Sequence, residues 1–303
     1  MIRLEDTSGG VVAATINTER NRLGSSPTGM VLTLLIMATE ETQADATAAA
    51  VAAARLHPMR IITMVPRPAD PNTRLDAEIS VGGDDGPGEV AILRLRGLLA
   101  EHANSVAVPL LLSDTPVVAY WPGVAPKVPA DDPIGRHAQR RITDAAAALD
   151  PLRELLTLRK GYQPGDTDLA WTRLTPWRSA LASALDQPFG AITGASVSGE
   201  LGNPSVPLLT SWLHRRLGVP VILKSDDGPG LTEVTLIAGA DKISISRGDG
   251  GVATLCCSGQ PDTTVVLPRR DLAALLSEEL RRLDPDFTYE KAITGVSDLD
   301  CKA

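Results

Sequence analysis

The feature that most constrains the fold is a strand–helix–strand pattern near the N-terminus. Residues Met30 to Ala38 are a short run rich in Val, Leu and Ile, which predicts a buried strand. The Ala-rich segment Thr42 to Leu56 predicts a helix that ends before Pro58, and Arg60 to Val65 predicts a second strand. Two strands joined by a helix are parallel with a right-handed crossover. The chain is therefore predicted to be an α/β protein.

The same pattern occurs again in the second half of the chain. Ala191 to Val197, Ser205 to Leu217 and Val219 to Leu223 predict a strand, a helix and a strand. The pentapeptide Asp-Asp-Gly-Pro-Gly follows each pattern, at 84–88 and at 226–230, and precedes a strand in both places. This recurrence indicates either two related halves or a chance repeat of favoured turn residues. We predict two related α/β domains.

The predicted domain boundary lies at the turn-forming segment Gly161 to Gly165. A chain of 303 residues exceeds the usual size of a single hydrophobic core, so two domains are expected. We place an N-terminal α/β domain at residues 1–160, a C-terminal α/β domain at 165–295 and a flexible tail at 296–303. Four predicted strands near the C-terminus are separated by short Gly- and Asp-containing turns, as in β-hairpins, so we predict mixed sheets with an antiparallel extension in the C-terminal domain. These strands are Thr232 to Ile237, Lys242 to Arg247, Val252 to Cys257 and Thr263 to Leu267.

Charge and hydropathy narrow the classes of partner. The formal net charge of −8 and the pI near 5.1 oppose tight binding of nucleic acid, which requires a clustered excess of Lys and Arg. The longest apolar runs are far shorter than the roughly 20 residues that span a bilayer. The N-terminus lacks the basic and apolar regions of a secretory signal. We predict a cytoplasmic protein that binds neither nucleic acid nor membrane.

Catalytic and cofactor motifs are not found in the sequence. The Gly-rich stretch Gly190 to Gly202 lies near a strand-to-helix junction, where phosphates can bind, but its spacing matches neither G-x-G-x-x-G nor the P-loop. It is either a phosphate site or a plain turn. None of the four histidines has zinc-site spacing, and Cys256, Cys257 and Cys301 show no C-x-x-C pattern. We predict no catalytic residue, no metal and no cofactor.

Two polar segments, Gly135 to Asp144 and Pro164 to Arg178, are unusual for residues with a purely structural role. In a chain with 3% aromatic residues, two tryptophans fall within seven residues, flanked by arginines and aspartates. Trp and Arg are enriched at protein interfaces, which indicates an exposed contact surface. The alternative is that both tryptophans fill a domain junction while the arginines and aspartates, Asp166 included, form a partly buried ion network. The candidate partner-binding residues are Arg140, Arg141, Asp144, Asp168, Trp171, Arg173 and Trp177.

These segments also carry a family resemblance. The stretches LLLSDTPVVAYWPG from Leu110, RRITD from Arg140 and GDTDLAWTRLTPWR from Gly165 resemble the actinobacterial glucose-6-phosphate dehydrogenase assembly proteins, the OpcA family. The similarity extends over nearly the whole chain and includes the turn Gly259 to Asp262 and the closing segment Glu278 to Pro285. The run from Gly165 is the most specific of these motifs.

The resemblance implies a function through a partner. It implies a non-enzymatic subunit that binds glucose-6-phosphate dehydrogenase and promotes its active oligomer, which supports NADPH production in the oxidative pentose phosphate pathway. It implies no cofactor, and the three cysteines do not match the redox pattern of cyanobacterial relatives. The alternative is a small-molecule-binding domain or enzyme with a sugar-phosphate site built from Arg140, Arg141 and Arg173, whose guanidinium groups suit phosphate. Self-association stays open.

Overall fold

The computed structural model describes residues 1–23, 29–82, 88–186, 189–248 and 250–297. These residues form two compact units that are interleaved along the chain. The first unit contains residues 1–144, 165–167 and 271–285, and the second contains the remaining segments, 145–164, 168–270 and 286–303. The division into continuous domains at 1–160 and 165–295, with a tail at 296–303, stays a prediction, and most of that tail lies outside the described residues.

A mixed eight-stranded sheet includes the strands of the first unit. Its strands are β1 (Ile2–Thr7), β2 (Leu32–Met37), β3 (Met59–Arg67), β4 (Arg74–Val81), β5 (Glu89–Arg96), β6 (Val117–Trp121), β7 (Arg140–Thr143) and β8 (Asp166–Asp168). Their order across the sheet is β1-β4-β5-β3-β2-β6-β7-β8. The pairs from β5 through β3, β2 and β6 to β7 are parallel, whereas β1 and β4 are antiparallel to their neighbours.

The five parallel strands follow the order of a doubly wound nucleotide-binding sheet. In chain order they occupy positions 3-2-1-4-5, which is the first part of the Rossmann arrangement. The strand order reverses between β2 and β6, so the carboxyl ends of these two strands mark the topological switch point. Strand β2 is buried from Leu32 to Ile36 and is apolar there except for Thr33, as expected for a parallel strand that is covered on both faces.

A mixed six-stranded sheet forms the centre of the second unit. Its strands are β9 (Gly194–Glu200), β10 (Val221–Asp226), β11 (Leu231–Ala238), β12 (Asp241–Arg247), β13 (Val252–Cys257) and β14 (Thr263–Val266). Strands β9 and β10 are parallel and are connected by a helix, and the four strands from β11 to β14 continue the sheet as antiparallel neighbours. The predicted α/β class, the mixed sheets and the antiparallel extension are confirmed.

The helices have caps that explain several of their ends. They are α1 (Gly9–Arg22), α2 (Gln43–Ala54), α3 (Ala103–Ala107), α4 (Pro151–Gly161), α5 (Leu169–Thr172), α6 (Thr175–Ala184), α7 (Ser205–Leu217), α8 (Leu272–Glu279) and α9 (Phe287–Gly295). The side chain of Asp271 accepts a hydrogen bond from the backbone of Ala274 and so begins α8. The helix expected from Arg269 to Leu283 is therefore shorter than predicted.

Another predicted helix, near Leu98 to Leu112, is wrong as a single element. The chain there forms a 3₁₀ turn at 97–102, the short α3 and a second 3₁₀ turn at 108–110. Pro109 explains why α3 does not continue beyond Ala107, because proline has no backbone N–H and its ring obstructs a continuing α-helix. Strand β4 and helix α1 were not predicted from the sequence at all, although both contribute to the core of the first unit.

Three further expectations concern turns, tails and membranes. The turn predicted at Asp84 to Gly88 lies outside the described residues except for its last glycine, and Cys301 lies outside them too. The second copy of that turn, Asp226 to Gly230, connects β10 to β11. A common origin of the two halves stays a prediction.

Among the described helices, none combines the length and apolar character needed to span a bilayer.

Candidate functional site

Arg140 lies on β7 in the first unit and is buried. Its Nε donates to the carboxylate of Glu279 at 3.2 Å, and its Nη2 contacts the same carboxylate oxygen. Its Nη1 donates to the backbone carbonyl of Asp284 at 2.8 Å. Both ends of the guanidinium are therefore engaged within this unit, in a charge-assisted pair of the kind that Arg forms with carboxylates.

Arg141, the next residue, is also buried and forms its own ion pair. Its Nε donates to the carboxylate of Asp166 on β8, and its Nη1 donates to the carbonyl of Ala138 at 2.8 Å. Because the two arginines are already paired with carboxylates, they do not provide guanidinium groups for the alternative sugar-phosphate site. Asp144, which follows β7, is buried as well.

Asp168 is fully buried at the start of α5 in the second unit. One carboxylate oxygen accepts from the backbone N–H of Ala170 at 2.8 Å and the other from that of Ala145 at 2.9 Å. The first bond is a helix N-cap, and the second fixes the segment at 145–147 to the same side chain. This carboxylate organises the backbone around it.

Trp171 is the centre of an aromatic and charged cluster. Its indole N–H donates to the carboxylate of Asp286 at 2.9 Å, and the guanidinium of Arg178 lies 3.8 Å from its ring centroid. The ring of Tyr289 packs at 5.9 Å. Burial acts to raise the pKa of Asp286, but hydrogen bonds from the Tyr289 backbone, Trp171 and the Thr288 backbone outweigh it and hold that pKa below its ordinary value.

Trp177 and Arg173 line a cleft of about 200 Å³ in the second unit. Trp177 is buried, with the guanidinium of Arg247 5.1 Å from its ring centroid. Arg173, which follows α5, is half-buried. Asn203 and Ser205, at the start of α7, contribute to the same cleft.

The expectation of an exposed Trp/Arg-rich surface is wrong for six of the seven candidate residues. The exposed fractions of Trp171 and Trp177 are 1% and 2%, and the four other buried candidates are Arg140, Arg141, Asp144 and Asp168. Only Arg173 has appreciable exposure. Burying large apolar rings is more favourable than leaving them in water, and the charged candidates have hydrogen-bonding partners inside the fold. The buried ion pair predicted as the alternative is present for Arg141 and Asp166.

The switch point of the first sheet carries an ion pair that the sequence did not predict. The loop after β2 is Ala38-Thr-Glu-Glu-Thr42, with Glu40 and Glu41 before the first turn of α2. The Nε and Nη2 of Arg67, at the end of β3, each lie 2.6 Å from the Glu40 carboxylate. The hydrogen bond from Arg67 lowers the pKa of Glu40 below its ordinary value, which keeps this group ionised at neutral pH.

These residues do not fit a dinucleotide. In sheets of this order a pyrophosphate binds where the first strand meets its helix, on a Gly-rich turn that allows close approach of the backbone. Here that turn has no glycine, and the carboxylates of Glu40, Glu41 and Asp45 would repel a pyrophosphate. Within residues 1–23, 29–82, 88–186, 189–248 and 250–297 there is also no cluster of His, Cys, Asp and Glu that could hold a metal ion.

The fold is similar to those of solved oxidoreductases. An NAD-binding oxidoreductase from Klebsiella pneumoniae is 10% identical, with a TM-score of 0.50 over 90% of this chain and 96% of that chain. An oxidoreductase from Sinorhizobium meliloti is 11% identical, with a TM-score of 0.47 over the same shares of the two chains. At these identities the likeness concerns the fold alone. No curated protein matches the chain.

Two family models match the sequence and together cover most of it. Residues 50–160 match the N-terminal domain of the glucose-6-phosphate dehydrogenase subunit, and residues 164–293 match its C-terminal domain. The second match contains the segment from Gly165 to Arg178 that was the most specific motif in the sequence. The two matched regions meet between residues 160 and 164, beside the turn from Gly161 to Gly165. The chain belongs to the OpcA family of glucose-6-phosphate dehydrogenase assembly subunits.

Proposed function

We propose that this chain is a non-enzymatic cytoplasmic subunit that binds glucose-6-phosphate dehydrogenase and promotes its active oligomer. The match of both family domains carries the proposal, because it covers residues 50–160 and 164–293. In this role the dehydrogenase performs the chemistry, and the chain supports NADPH production in the oxidative pentose phosphate pathway. The chain contributes binding free energy only.

The switch point supports a role without catalysis. An enzyme with this strand order places its dinucleotide over the turn after the first strand. In this chain the ionised Glu40 and its partner Arg67 lie at the ends of β2 and β3, beside that turn. A sheet of this kind, without the turn that holds a pyrophosphate, serves as a scaffold for surfaces that contact another protein.

An activator of this type acts by differential affinity. It shifts the dehydrogenase toward its active oligomer only to the extent that it binds that oligomer more tightly than the inactive form. Linkage then requires the oligomeric dehydrogenase to bind the subunit more tightly than the dissociated dehydrogenase does. Both effects are measurable with purified proteins.

Reconstitution tests the proposal. The chain and the glucose-6-phosphate dehydrogenase of the same organism are mixed at micromolar concentrations, and mass is measured by light scattering during gel filtration while activity is followed by NADPH absorbance. We expect co-elution, a larger dehydrogenase mass and a higher rate. Separate elution together with an unchanged rate would overturn the proposal, as would turnover of glucose 6-phosphate by the chain alone.

Arg173 is the candidate residue suited to a surface test. Because it is half-buried and lies outside the helices, Arg173→Ala is expected to fold and to weaken activation if this face contacts the dehydrogenase. Arg153→Ala, an exposed arginine on α4, is the matched control. Trp171→Ala is not suitable, because loss of a buried tryptophan costs about 3–5 kcal/mol and weakens the fold itself. Equal activation by both arginine variants would exclude Arg173 from the interface.

A further inference from the structure

The cleft beside Trp177 concentrates positive charge in a chain whose net charge is negative. Four of its lining residues are arginines, namely Arg173, Arg247, Arg269 and Arg270. Within the described part of the chain, none of its lining residues is acidic. The formal charge of the whole chain is −8, so a local excess of this size is not a consequence of composition.

Arg247 is a buried cation that forms no ion pair with a carboxylate in the part of the chain that the structure describes. Only 8% of this residue is exposed. Its Nη1 and Nη2 donate to the backbone carbonyls of Leu267 and Leu231 at 3.0 and 3.1 Å, and its Nε has no hydrogen-bond partner among the described residues. Burying a charge is unfavourable unless it is paired, so this guanidinium is incompletely compensated.

A second arginine increases that electrostatic cost. Arg269 is exposed at the cleft and donates through Nη2 to the carbonyl of Pro229 at 2.8 Å. Burial, followed by the positive charge of Arg269, lowers the pKa of Arg247 to about 10. Arg247 therefore remains charged at neutral pH. A bound anion would relieve the repulsion between these two cleft-lining arginines.

The N-terminal end of α7 adds positive electrostatic potential to the cleft. Asn203 and Ser205 line it, and the backbone N–H of Ser205, where α7 begins, donates to the side-chain oxygen of Asn203 at 2.9 Å. The N-terminus of a helix carries a partial positive charge that favours anions. The Gly-rich stretch Gly190 to Gly202, which the sequence leaves open as either a phosphate site or a plain turn, leads through β9 into this helix.

We propose that this cleft binds the phosphoryl group of a small molecule. Guanidinium groups form paired hydrogen bonds with phosphate oxygens, and a buried arginine beside an exposed one provides both a fixed and an adjustable contact. The cleft volume of about 200 Å³ is smaller than that of a pocket for a drug-sized ligand, which is roughly 300–1,000 Å³, so a compact anion fits it best. The proposal does not rest on binding of the dehydrogenase.

Thermal unfolding of the full chain tests the site. Inorganic phosphate is titrated at constant ionic strength, with sodium chloride replacing it, and the melting temperature is recorded. Because a ligand that binds only the native state stabilises it, we expect a saturable rise in melting temperature with phosphate but not with chloride. An equal rise with malonate would overturn the assignment to a phosphoryl group, and no rise beyond that in chloride would overturn the site.

Substitutions of the lining arginines test whether phosphate binds in the cleft. Arg269→Gln and Arg247→Met are each expected to weaken phosphate binding by about tenfold, the effect of losing one charge-assisted hydrogen bond. Arg153→Gln, an exposed arginine outside the lining residues, is the matched control. If Arg247→Met does not fold, Arg269→Gln decides the question because its side chain is exposed. Phosphate binding by Arg269→Gln that is as tight as in the control would overturn the proposal.

A second titration distinguishes inorganic phosphate from a phosphomonoester. Glucose 6-phosphate is compared with inorganic phosphate, and glucose is the uncharged control. Tighter binding of glucose 6-phosphate would assign the site to a phosphorylated metabolite, whereas tighter binding of inorganic phosphate would assign it to the free ion. Stabilisation by glucose equal to that by glucose 6-phosphate would show that the phosphoryl group is not recognised, and the proposal would fail.

Discussion

Arg60 and Glu89 are directly opposite each other on the parallel strands β3 and β5, and their side chains form a buried ion pair. The Nη2 of Arg60 lies 2.5 Å from the Glu89 carboxylate, and its Nη1 donates to the carbonyl of Leu110 at 2.7 Å. Arg20 of α1 approaches the second carboxylate oxygen at 3.2 Å. The pair therefore connects two strands and a helix of the first unit.

Removing Arg60 should destabilise the chain strongly. Arg60→Met leaves Glu89 buried with only the more distant Arg20, and breaking a buried pair in this way costs about 3–5 kcal/mol of unfolding free energy. Urea denaturation followed by circular dichroism measures the loss. The double variant R60M/E89L should lose less than R60M, because it removes both charges of the buried pair and leaves only the partly buried Arg20 without its partner Glu89.

The pair between Arg67 and Glu40 provides the control for this comparison. Its side chains are 29% and 43% exposed, and exposed pairs contribute about 0–1 kcal/mol. Arg67→Met should therefore change the unfolding free energy much less than R60M. Equal losses of unfolding free energy in Arg60→Met and Arg67→Met would show that burial does not determine how much an ion pair contributes.

Gly165 should not tolerate a side chain. Its φ is +95°, and an added Cβ would lie 2.5 Å from the carbonyl oxygen of Gln139 and 2.9 Å from Nη2 of Arg141. Gly202 has a similar φ of +86°, but an added Cβ there would meet no atom of the described residues within 4 Å. The G202A variant should lose about 1–3 kcal/mol from backbone strain, and G165A should lose more. Thermal unfolding of both variants separates the cost of the close contacts at Gly165 from the cost of backbone strain, which both positions share. Equal losses of stability would show that the close contacts at Gly165 carry no cost.

The hydrogen bond between Trp171 and Asp286 should appear in the pH dependence of stability. Because the folded pKa of Asp286 is lowered, its stabilising contribution is complete above the ordinary Asp pKa and is lost as the pH falls through the folded pKa. Trp171→Phe should cost about 1.5–3 kcal/mol at neutral pH and move this loss to higher pH. Urea denaturation between acidic and neutral pH measures both effects.

Asp286→Asn is the control for that experiment. Asn is as favourable as Asp at an N-cap, so the start of α9 should persist while the titrating group is removed. In the D286N background, Trp171→Phe should leave the pH dependence unchanged. A shift of similar size in both backgrounds would assign the titration to another group.

Cys256 should react slowly with alkylating reagents. A hydrogen bond with Asp262, followed by burial, raises the pKa of this thiol above its ordinary value, and the thiolate is the reactive form. Asp262→Asn should lower the pKa and increase the rate of alkylation by iodoacetamide. Peptide mapping by mass spectrometry identifies the modified cysteine. An unchanged rate at Cys256 would show that Asp262 does not control it.

Local pattern was sufficient for the elements whose residues carry their own signal. The strands from 30–38, 60–65 and 191–197 were predicted because short apolar runs beside turn residues are characteristic of buried strands. The hairpins after residue 231 were predicted because turn residues recur at short spacing. Strand β4 was missed because a segment such as Arg74–Val81 becomes a strand only through its neighbours on both sides.

The role of the charged and aromatic candidates depended on tertiary packing. Composition indicated that Trp171, Trp177 and the nearby arginines were unusual, but composition does not show which way a side chain faces. Arg247 and Arg269 are 22 residues apart and were not singled out together, although they border the same cleft. A pair of adjacent arginines at 269 and 270 was visible, but its proximity to a buried third arginine was not.

The sequence by itself determined the α/β class, the parallel strand–helix–strand units, the antiparallel extension and the family, because periodicity, turn chemistry and a long motif are local properties of the chain. Only the tertiary structure decided the strand order, the register that opposes Arg60 to Glu89, the burial of the tryptophans and the convergence of four arginines on one cleft. These features join residues that are distant along the chain, and their energies depend on distance and burial, which exist only once the chain is folded.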